Sequence, residues 1–150
     1  MNIIEALKKH NYTIATAESL TAGLISAHIA DISGASAHLK GGVCSYTKEA
    51  KCELLGLNMD DINNYGVYSS ETALQMARGI KNKLSSDVAV STTGVAGPGS
   101  DEGVLAGIVY FGFVIRDKEY SECVSFDGSR NEVRQNATDY AIRKIIELLN

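Results

Sequence analysis

The chain has 150 residues, of which 45% are hydrophobic and 21% are charged, and its formal net charge is −4. This length and composition indicate one globular domain with a core of its own and exclude a disordered chain. The acidic balance and the scattered Lys and Arg residues argue against nucleic acid as a partner. No apolar run approaches the roughly 20 residues that span a membrane. Residues 2–10 show an amphipathic helical pattern rather than the layout of a signal peptide, so we expect a cytoplasmic protein.

The three cysteines, Cys44, Cys52 and Cys123, do not have the spacing of a metal site, and they are consistent with a reducing compartment. Cys44 and Cys123 lie in apolar, strand-like runs, which predicts that both are buried. Cys52 follows Lys51 in a helical segment, but no histidine lies nearby to activate it as a nucleophile. We therefore expect neither a metal centre nor a catalytic cysteine.

Hydrophobic periodicity predicts helices that alternate with strands, with glycine and serine marking the turns. Predicted helices cover residues 2–10, a segment ending near residue 31, and residues 48–55, 70–84 and 131–149. Predicted strands cover residues 12–17, 39–47, 87–92, 104–115 and 119–126, and the last two form a hairpin. Residues 57–69 are expected to be irregular and residues 93–103 to form a glycine-rich loop. This order predicts an α/β fold, a single domain with one mixed β-sheet and helices on both faces.

Ser19 lies where the first predicted strand leads into a helix. The first N–H groups of a helix have no internal partner and carry the positive end of its dipole, so they suit an anion or an oxyanion. A serine at that place is a candidate nucleophile. The alternative is that Ser19 or Thr21 only caps the helix, because Ser and Thr are preferred as caps.

Two further loops follow predicted strands, and ligands of open α/β sheets gather at the carboxyl ends of strands. The first contains Tyr46, Lys48 and Lys51. A lysine whose pKa is lowered by burial can activate a serine, whereas a solvated helix lysine is the commoner case. Tyr46 is either a site residue or a strand aromatic with its hydroxyl at the rim. The second is the glycine-rich loop, whose N–H groups either cradle a phosphate or belong to a long turn.

The three histidines, His10, His28 and His38, give no local support to a Ser-His-Asp triad. His28 falls on an apolar helical stripe and is expected to be half-buried, and His10 ends a helix, where a cation suits the dipole. The base for Ser19 is therefore sought among the lysines. Lys48 lies three residues before Lys51 on the same helix face, so it is the predicted cation that lowers the pKa of Lys51.

Four stretches occur together in an order that is specific, namely residues 17–23, residues 41–46 with Lys51, residues 91–98 and residues 126–130. They resemble the CinA C-terminal domain family, whose enzymes are nicotinamide-nucleotide amidases, and the resemblance covers nearly the whole chain. The family commonly has Cys-Thr-Gly-Gly after the serine, where this chain has Leu20-Thr21-Ala22-Gly23. This departure leaves open a silent nucleotide-binding module or an interaction domain of the competence/damage-inducible type.

The resemblance implies hydrolysis of the carboxamide of nicotinamide mononucleotide, with Ser19 as nucleophile, Lys51 as general base and Tyr46 in the same site. It implies that no cofactor is needed and that the chain forms a homodimer or a higher homo-oligomer. The residues predicted to contact the nucleotide are Thr21, Thr93, Gly94, Gly97, Gly99 and Arg130.

Overall fold

The computed structural model describes residues 1–150 and contains five strands and six α-helices. The strands are β1 (Ile14–Glu18), β2 (Leu39–Cys44), β3 (Val88–Gly94), β4 (Ile108–Ile115) and β5 (Lys118–Ser125). The helices are α1 (Ile3–His10), α2 (Leu24–Ala30), α3 (Lys48–Leu55), α4 (Met59–Tyr65), α5 (Ser70–Leu84) and α6 (Arg130–Leu149). A short 3-10 helix, Ala35–Ala37, lies between α2 and β2.

The five strands form one sheet in the order β2-β1-β3-β4-β5. β1 pairs in parallel with both β2 and β3, whereas β4 and β5 continue the sheet as antiparallel strands. The predicted α/β fold with a mixed sheet is therefore confirmed. Because β1, β2 and β3 are parallel, their carboxyl ends meet at one edge, and the loops that carry the candidate residues leave from that edge.

The sheet divides the core into two layers, because side chains of successive strand residues point to opposite faces. Helices α1, α2 and α6 cover one face around Phe111 and Phe113, both fully buried. Helices α3, α4 and α5 cover the other face around Met76 and Ile80. Helices thus lie on both faces, as the sequence predicts. None of the helices combines the length and the apolar character that crossing a membrane requires.

The structure corrects two predicted segments. Residues 59–65, expected to be irregular, form α4, which Asn58 caps by accepting hydrogen bonds from the N–H groups of Asp60 and Asp61. Only Ile62 of this helix is buried, so its hydrophobic stripe is too short to be seen as a period. Strand β4 begins at Ile108 rather than at residue 104.

The prediction that Cys44 and Cys123 are buried is wrong, since both thiols are exposed. Cys44 ends β2 and Cys123 belongs to β5, the two edge strands of the sheet. Residues of β2 alternate between half-buried and exposed, and most residues of β5 are exposed. An apolar run in an edge strand therefore does not imply that every side chain is covered.

Candidate active site

A cavity of about 360 Å³ opens at the carboxyl edge of the parallel strands. Its wall combines the turn after β1, the residue two positions after β2, the end of β3 with the glycine-rich loop, and the first residue of α6. The lining residues used below are Ser19, Leu20, Tyr46, Tyr68, residues 94–101 and Arg130. The cavity therefore brings together most of the residues that the sequence selects.

Ser19 directly follows β1, but it does not cap α2. The N-cap is Gly23, which has no side chain to offer, and the helix amides are met by the carboxylate of Glu18 instead. Glu18 is 1% exposed and accepts hydrogen bonds from the N–H groups of Gly23, Ile25 and Ser26 at 2.9–3.1 Å. The amides at the start of α2 are thus occupied, and they are not the anion site expected from the sequence.

Lys51 is buried behind Ser19. Its side chain is 1% exposed, and its Nζ lies 2.7 Å from the carbonyl oxygen of Ser45 and 3.3 Å from Oγ of Ser19. Burial lowers the pKa of Lys51 to about 8, because a charged ammonium loses its hydration in the interior. A lysine with this pKa is neutral in about one molecule in ten at pH 7, and a neutral amine accepts a proton from a hydroxyl.

Lys48 does not have the role predicted for it. Its ammonium lies 2.6 Å from Oε1 of Glu102, so it forms an ion pair across to the glycine-rich loop. This carboxylate raises the pKa of Lys48, whereas burial is what lowers the pKa of Lys51. The prediction that the Lys48 charge depresses the pKa of Lys51 is therefore wrong.

Thr21 and Thr93 are fully buried beside the cavity rather than in its wall. The hydroxyl of Thr21 lies 2.9 Å from that of Thr92, whose oxygen accepts a hydrogen bond from the N–H of Ser19 at 3.3 Å. The hydroxyl of Thr93 donates to the carbonyl oxygen of Val67 at 2.8 Å. These threonines join the end of β3 to its neighbours, and neither side chain lines the cavity.

The glycine-rich loop presents its main chain to the cavity. Gly94, Gly97 and Gly99 line it, as do Ala96 and Ser100. Within the loop, the N–H groups of residues 96, 97, 99 and 100 donate to no atom of the chain. Backbone N–H groups of this kind bind anions when several face one space. Leu20 and Thr21 offer two more such N–H groups in the turn next to the nucleophile candidate.

Arg130 begins α6 and lines the cavity together with Tyr46. Its guanidinium donates to the carbonyl oxygen of Gly97 at 2.5 Å and to the hydroxyl of Tyr46 at 2.9 Å. The ring of Tyr46 is 52% exposed. Tyr46 therefore stands at the rim beside Arg130, and its hydroxyl contacts the arginine instead of the Ser19–Lys51 pair.

The structure adds residues that sequence reasoning missed. Tyr68 and Asp101 line the cavity, and the hydroxyl of Tyr68 donates to Oδ2 of Asp101 at 2.6 Å. Arg134 lies one helical turn after Arg130, and its Nε donates to the carbonyl oxygen of Leu20 at 2.8 Å. The spacing of the two arginines was the available signal, because residues four apart share a helix face. Tyr68 carries no comparable signal, since it lies in a segment expected to be irregular.

No histidine lines the cavity. The ring of His38 contacts the carbonyl oxygen of Tyr12 through Nδ1 at 2.8 Å, and the ring of His10 contacts that of Leu149 through Nε2 at 2.7 Å. His28 is half-buried on α2, as expected. Lys51 is thus the only side-chain base that contacts the hydroxyl of Ser19.

Known proteins similar to this chain identify its family. A family model described as the CinA C-terminal domain matches residues 1–149 of the chain. The chain belongs to the CinA C-terminal domain family. This CinA domain is 38% identical over 149 residues to "Protein MG115 homolog" of Mycoplasma pneumoniae, covering 99% of the chain and 95% of that protein. A CinA-like protein from Sulfurihydrogenibium sp. is 41% identical over 142 residues, covering 93% of the chain.

The CinA domain spans 35% of that second relative, so several curated relatives are about three times as long. Among solved structures, a competence-damaged protein (CinA) superfamily protein from Klebsiella pneumoniae superposes with a TM-score of 0.95 at 27% identity, covering 98% of this chain and 92% of that one. The competence/damage inducible protein CihA from Agrobacterium tumefaciens superposes with a TM-score of 0.92 at 32% identity, covering 99% and 92%. The fold of the CinA domain is thus shared across distant bacteria.

Proposed function

We propose that this chain is a nicotinamide-nucleotide amidase, a single amidase domain that hydrolyses the carboxamide of nicotinamide mononucleotide to nicotinate mononucleotide and ammonia. The observation that carries the proposal is the buried Lys51 amine 3.3 Å from the hydroxyl of Ser19, at a cavity of about 360 Å³. This volume is within the usual range for small-molecule sites. The family resemblance suggests the substrate, and the contact between Lys51 and Ser19 supports their proposed roles as base and nucleophile.

In the proposed reaction, Oγ of Ser19 attacks the carboxamide carbon while neutral Lys51 takes the hydroxyl proton. The carbonyl oxygen of Ser45 accepts one N–H of Lys51 at 2.7 Å, which fixes the amine and directs its lone pair. Lys51 then returns the proton to the leaving nitrogen, and ammonia departs. A water molecule attacks the resulting ester with Lys51 again as base, which releases the carboxylate product and restores Ser19.

The cavity also offers groups for the two negative charges of the reaction. The partner-free N–H group of Leu20 lines the cavity next to Ser19 and suits the oxyanion that develops at the carboxamide. The loop N–H groups of residues 96, 97, 99 and 100 and the guanidinium of Arg130 suit the phosphate. In this proposal Tyr46 holds Arg130 in place, and no metal or organic cofactor takes part.

The test is to incubate the purified chain with nicotinamide mononucleotide and to measure ammonia and nicotinate mononucleotide. We expect turnover by the natural sequence and none by Ser19→Ala. That variant should keep its fold, because the hydroxyl of Ser19 has only one contact, while its N–H and C=O bonds persist. Circular dichroism and ligand binding are the controls.

One result would contradict the serine mechanism alone, and two would contradict the amidase proposal. Normal turnover by Ser19→Ala would exclude the serine mechanism. Binding without turnover by the natural sequence would support the silent nucleotide-binding module. If the natural sequence shows no binding and no turnover, that result would favour the interaction domain suggested by the competence and damage names of the relatives.

A further inference from the structure

The wall of the cavity carries one cation and one anion, and neither belongs to an ion pair, although Asp101 is near enough to Lys48 to help raise the pKa of that lysine. Arg130 contacts only a carbonyl oxygen and a phenol. Asp101 contacts the phenol of Tyr68 at 2.6 Å and belongs to no ion pair. The neighbouring Glu102 differs, because Lys48 pairs with it at 2.6 Å. The cavity is therefore complementary to a ligand that carries both a negative and a positive charge.

The anionic side of the cavity is attached to the same strand end as the nucleophile. The carbonyl of Val67, the residue before Tyr68, accepts a hydrogen bond from Thr93 at 2.8 Å. The adjacent Thr92 accepts the N–H of Ser19 at 3.3 Å. Ser19 and the residue before Tyr68 are thus attached to neighbouring residues of β3, and Ser19, Tyr68 and Asp101 line the same cavity.

The pairing of an aromatic ring with a carboxylate suits a cationic ring. The face of Tyr68 attracts a cation through its quadrupole, and Asp101 attracts it by charge. The phenol occupies Oδ2 of Asp101, whereas Oδ1 has no partner and remains available. Burial and Asp101 both raise the pKa of Tyr68, so the phenol remains a neutral donor and Asp101 is held in position.

We propose that Asp101, held by Tyr68, makes the site selective for nucleotides whose reacting ring carries a positive charge. This inference rests on the proposed amidase function. It predicts that the oxidised pyridinium form of a nicotinamide nucleotide is preferred over the reduced dihydropyridine form, whose ring is neutral. It also assigns the two ends of the ligand, with the phosphate at Arg130 and the ring at Asp101.

The experiment measures binding of nicotinamide mononucleotide and of its reduced form by calorimetry, in a Ser19→Ala background that prevents turnover. Both ligands share the phosphate, the ribose and the carboxamide. Asp101→Asn keeps an oxygen to accept from Tyr68 and removes the charge. We expect it to weaken binding of the oxidised form by about tenfold and of the reduced form by less than about twofold. Asp117→Asn, which removes an exposed carboxylate in the turn between β4 and β5, is the control, and it should change both affinities by less than about twofold.

Equal losses for both ligands in Asp101→Asn would overturn the inference, because they would indicate a contact with the shared ribose or phosphate. Equal affinity of the Ser19→Ala protein for the two ligands would also overturn it. In both cases turnover by the natural sequence would leave the amidase proposal intact. Conversely, a ring-charge preference without turnover by the natural sequence would overturn the amidase proposal alone.

Discussion

At the scale of single residues, the ionisation of Lys51 governs the proposed chemistry. Its pKa of about 8 lies close to working pH, so kcat/KM should rise with pH through one ionisation near that value. Lys51→Arg should be almost as inactive as Lys51→Met, because a guanidinium stays protonated at any working pH. A steady-state pH series on the three proteins measures this.

The same pH series distinguishes two roles for Lys51, a general base and a charge that only holds the phosphate. If Lys51 only held the phosphate by its charge, Lys51→Arg would keep much of the activity, and Lys51→Met would mainly raise KM. An active Lys51→Arg with an unchanged pH profile would therefore exclude Lys51 as the base. Lys48→Met is the control. Removing the Lys48 ammonium should leave the Lys51 ionisation in the kcat/KM profile, since Lys48 pairs with Glu102.

Arg130 provides a second prediction at this scale. Arg130→Ala should weaken binding of nicotinamide mononucleotide by roughly 10- to 100-fold more than binding of its riboside, because only the mononucleotide has a phosphate to lose. Some loss is expected for both ligands, since Arg130 also donates to the carbonyl oxygen of Gly97 at 2.5 Å. The measurement is a pair of dissociation constants in the Ser19→Ala background.

Tyr46→Phe is the control for Arg130→Ala, because it removes the phenol that contacts Arg130 and leaves the charge. Its effect on the ratio of the two affinities should be small. Equal losses for mononucleotide and riboside in Arg130→Ala would place the phosphate elsewhere in the cavity.

At the scale of elements, the start of α2 depends on a residue that lies outside the helix. Glu18→Gln keeps one acceptor oxygen but turns an amide N–H₂ toward backbone donors, so at least one buried N–H loses its partner. We expect a loss of about 1–3 kcal/mol in the free energy of unfolding, together with lower activity as the Ser19 turn shifts. Urea denaturation measures the loss.

The capping box of α1 offers a matched comparison. Glu5 accepts only the N–H of Asn2, at 2.8 Å on the protein surface, so the amide oxygen in Glu5→Gln can keep this bond and water meets the rest of the side chain. Its effect should be well below that of Glu18→Gln and should leave activity unchanged. Similar losses of unfolding free energy in the two variants would mean that the burial of Glu18 adds nothing to the stability of α2.

The elements also show what sequence patterns can and cannot give. Ser19 and the glycine-rich loop could be selected as candidates, because each directly follows a predicted strand. Lys51 lies inside α3, and the family resemblance, not a residue pattern, selected it as base. The role of Glu18 was not predictable. Its carboxylate oxygens accept from N–H groups five to eight residues later, and no local capping pattern describes such contacts. The partner of Lys48 was missed for the same reason. Glu102 is distant in sequence and is brought near only by the fold.

At the scale of the whole molecule, the buried Lys51 opposes folding. An ordinary lysine has a pKa of 10.5, whereas Lys51 has one of about 8 in the native state. Between these values the unfolded chain holds a proton that the native chain has released, so stability rises with pH. Below pH 8 the residue costs about 3 kcal/mol, and Lys51→Met should therefore be more stable than the natural sequence at pH 7.

The difference between the two proteins isolates Lys51, because other groups titrate alike in both. Denaturation at pH 7 and at pH 10.5 should show the advantage of Lys51→Met shrinking as the pH rises. A constant advantage would mean that Lys51 holds the same proton in the native and unfolded states, which would also remove it as a neutral base.

The cavity wall from Gly94 to Asp101 offers the ligand mostly main-chain groups. Every residue type except proline supplies an N–H, so most substitutions at a position such as Ser100 keep the group that the site uses. The restriction falls on backbone shape: Gly97 has φ +92°, and an added Cβ would lie 2.9 Å from that of Ala106. Sequence identity in this loop therefore underestimates functional similarity. Two chains with few identical residues in the loop can keep the same binding surface.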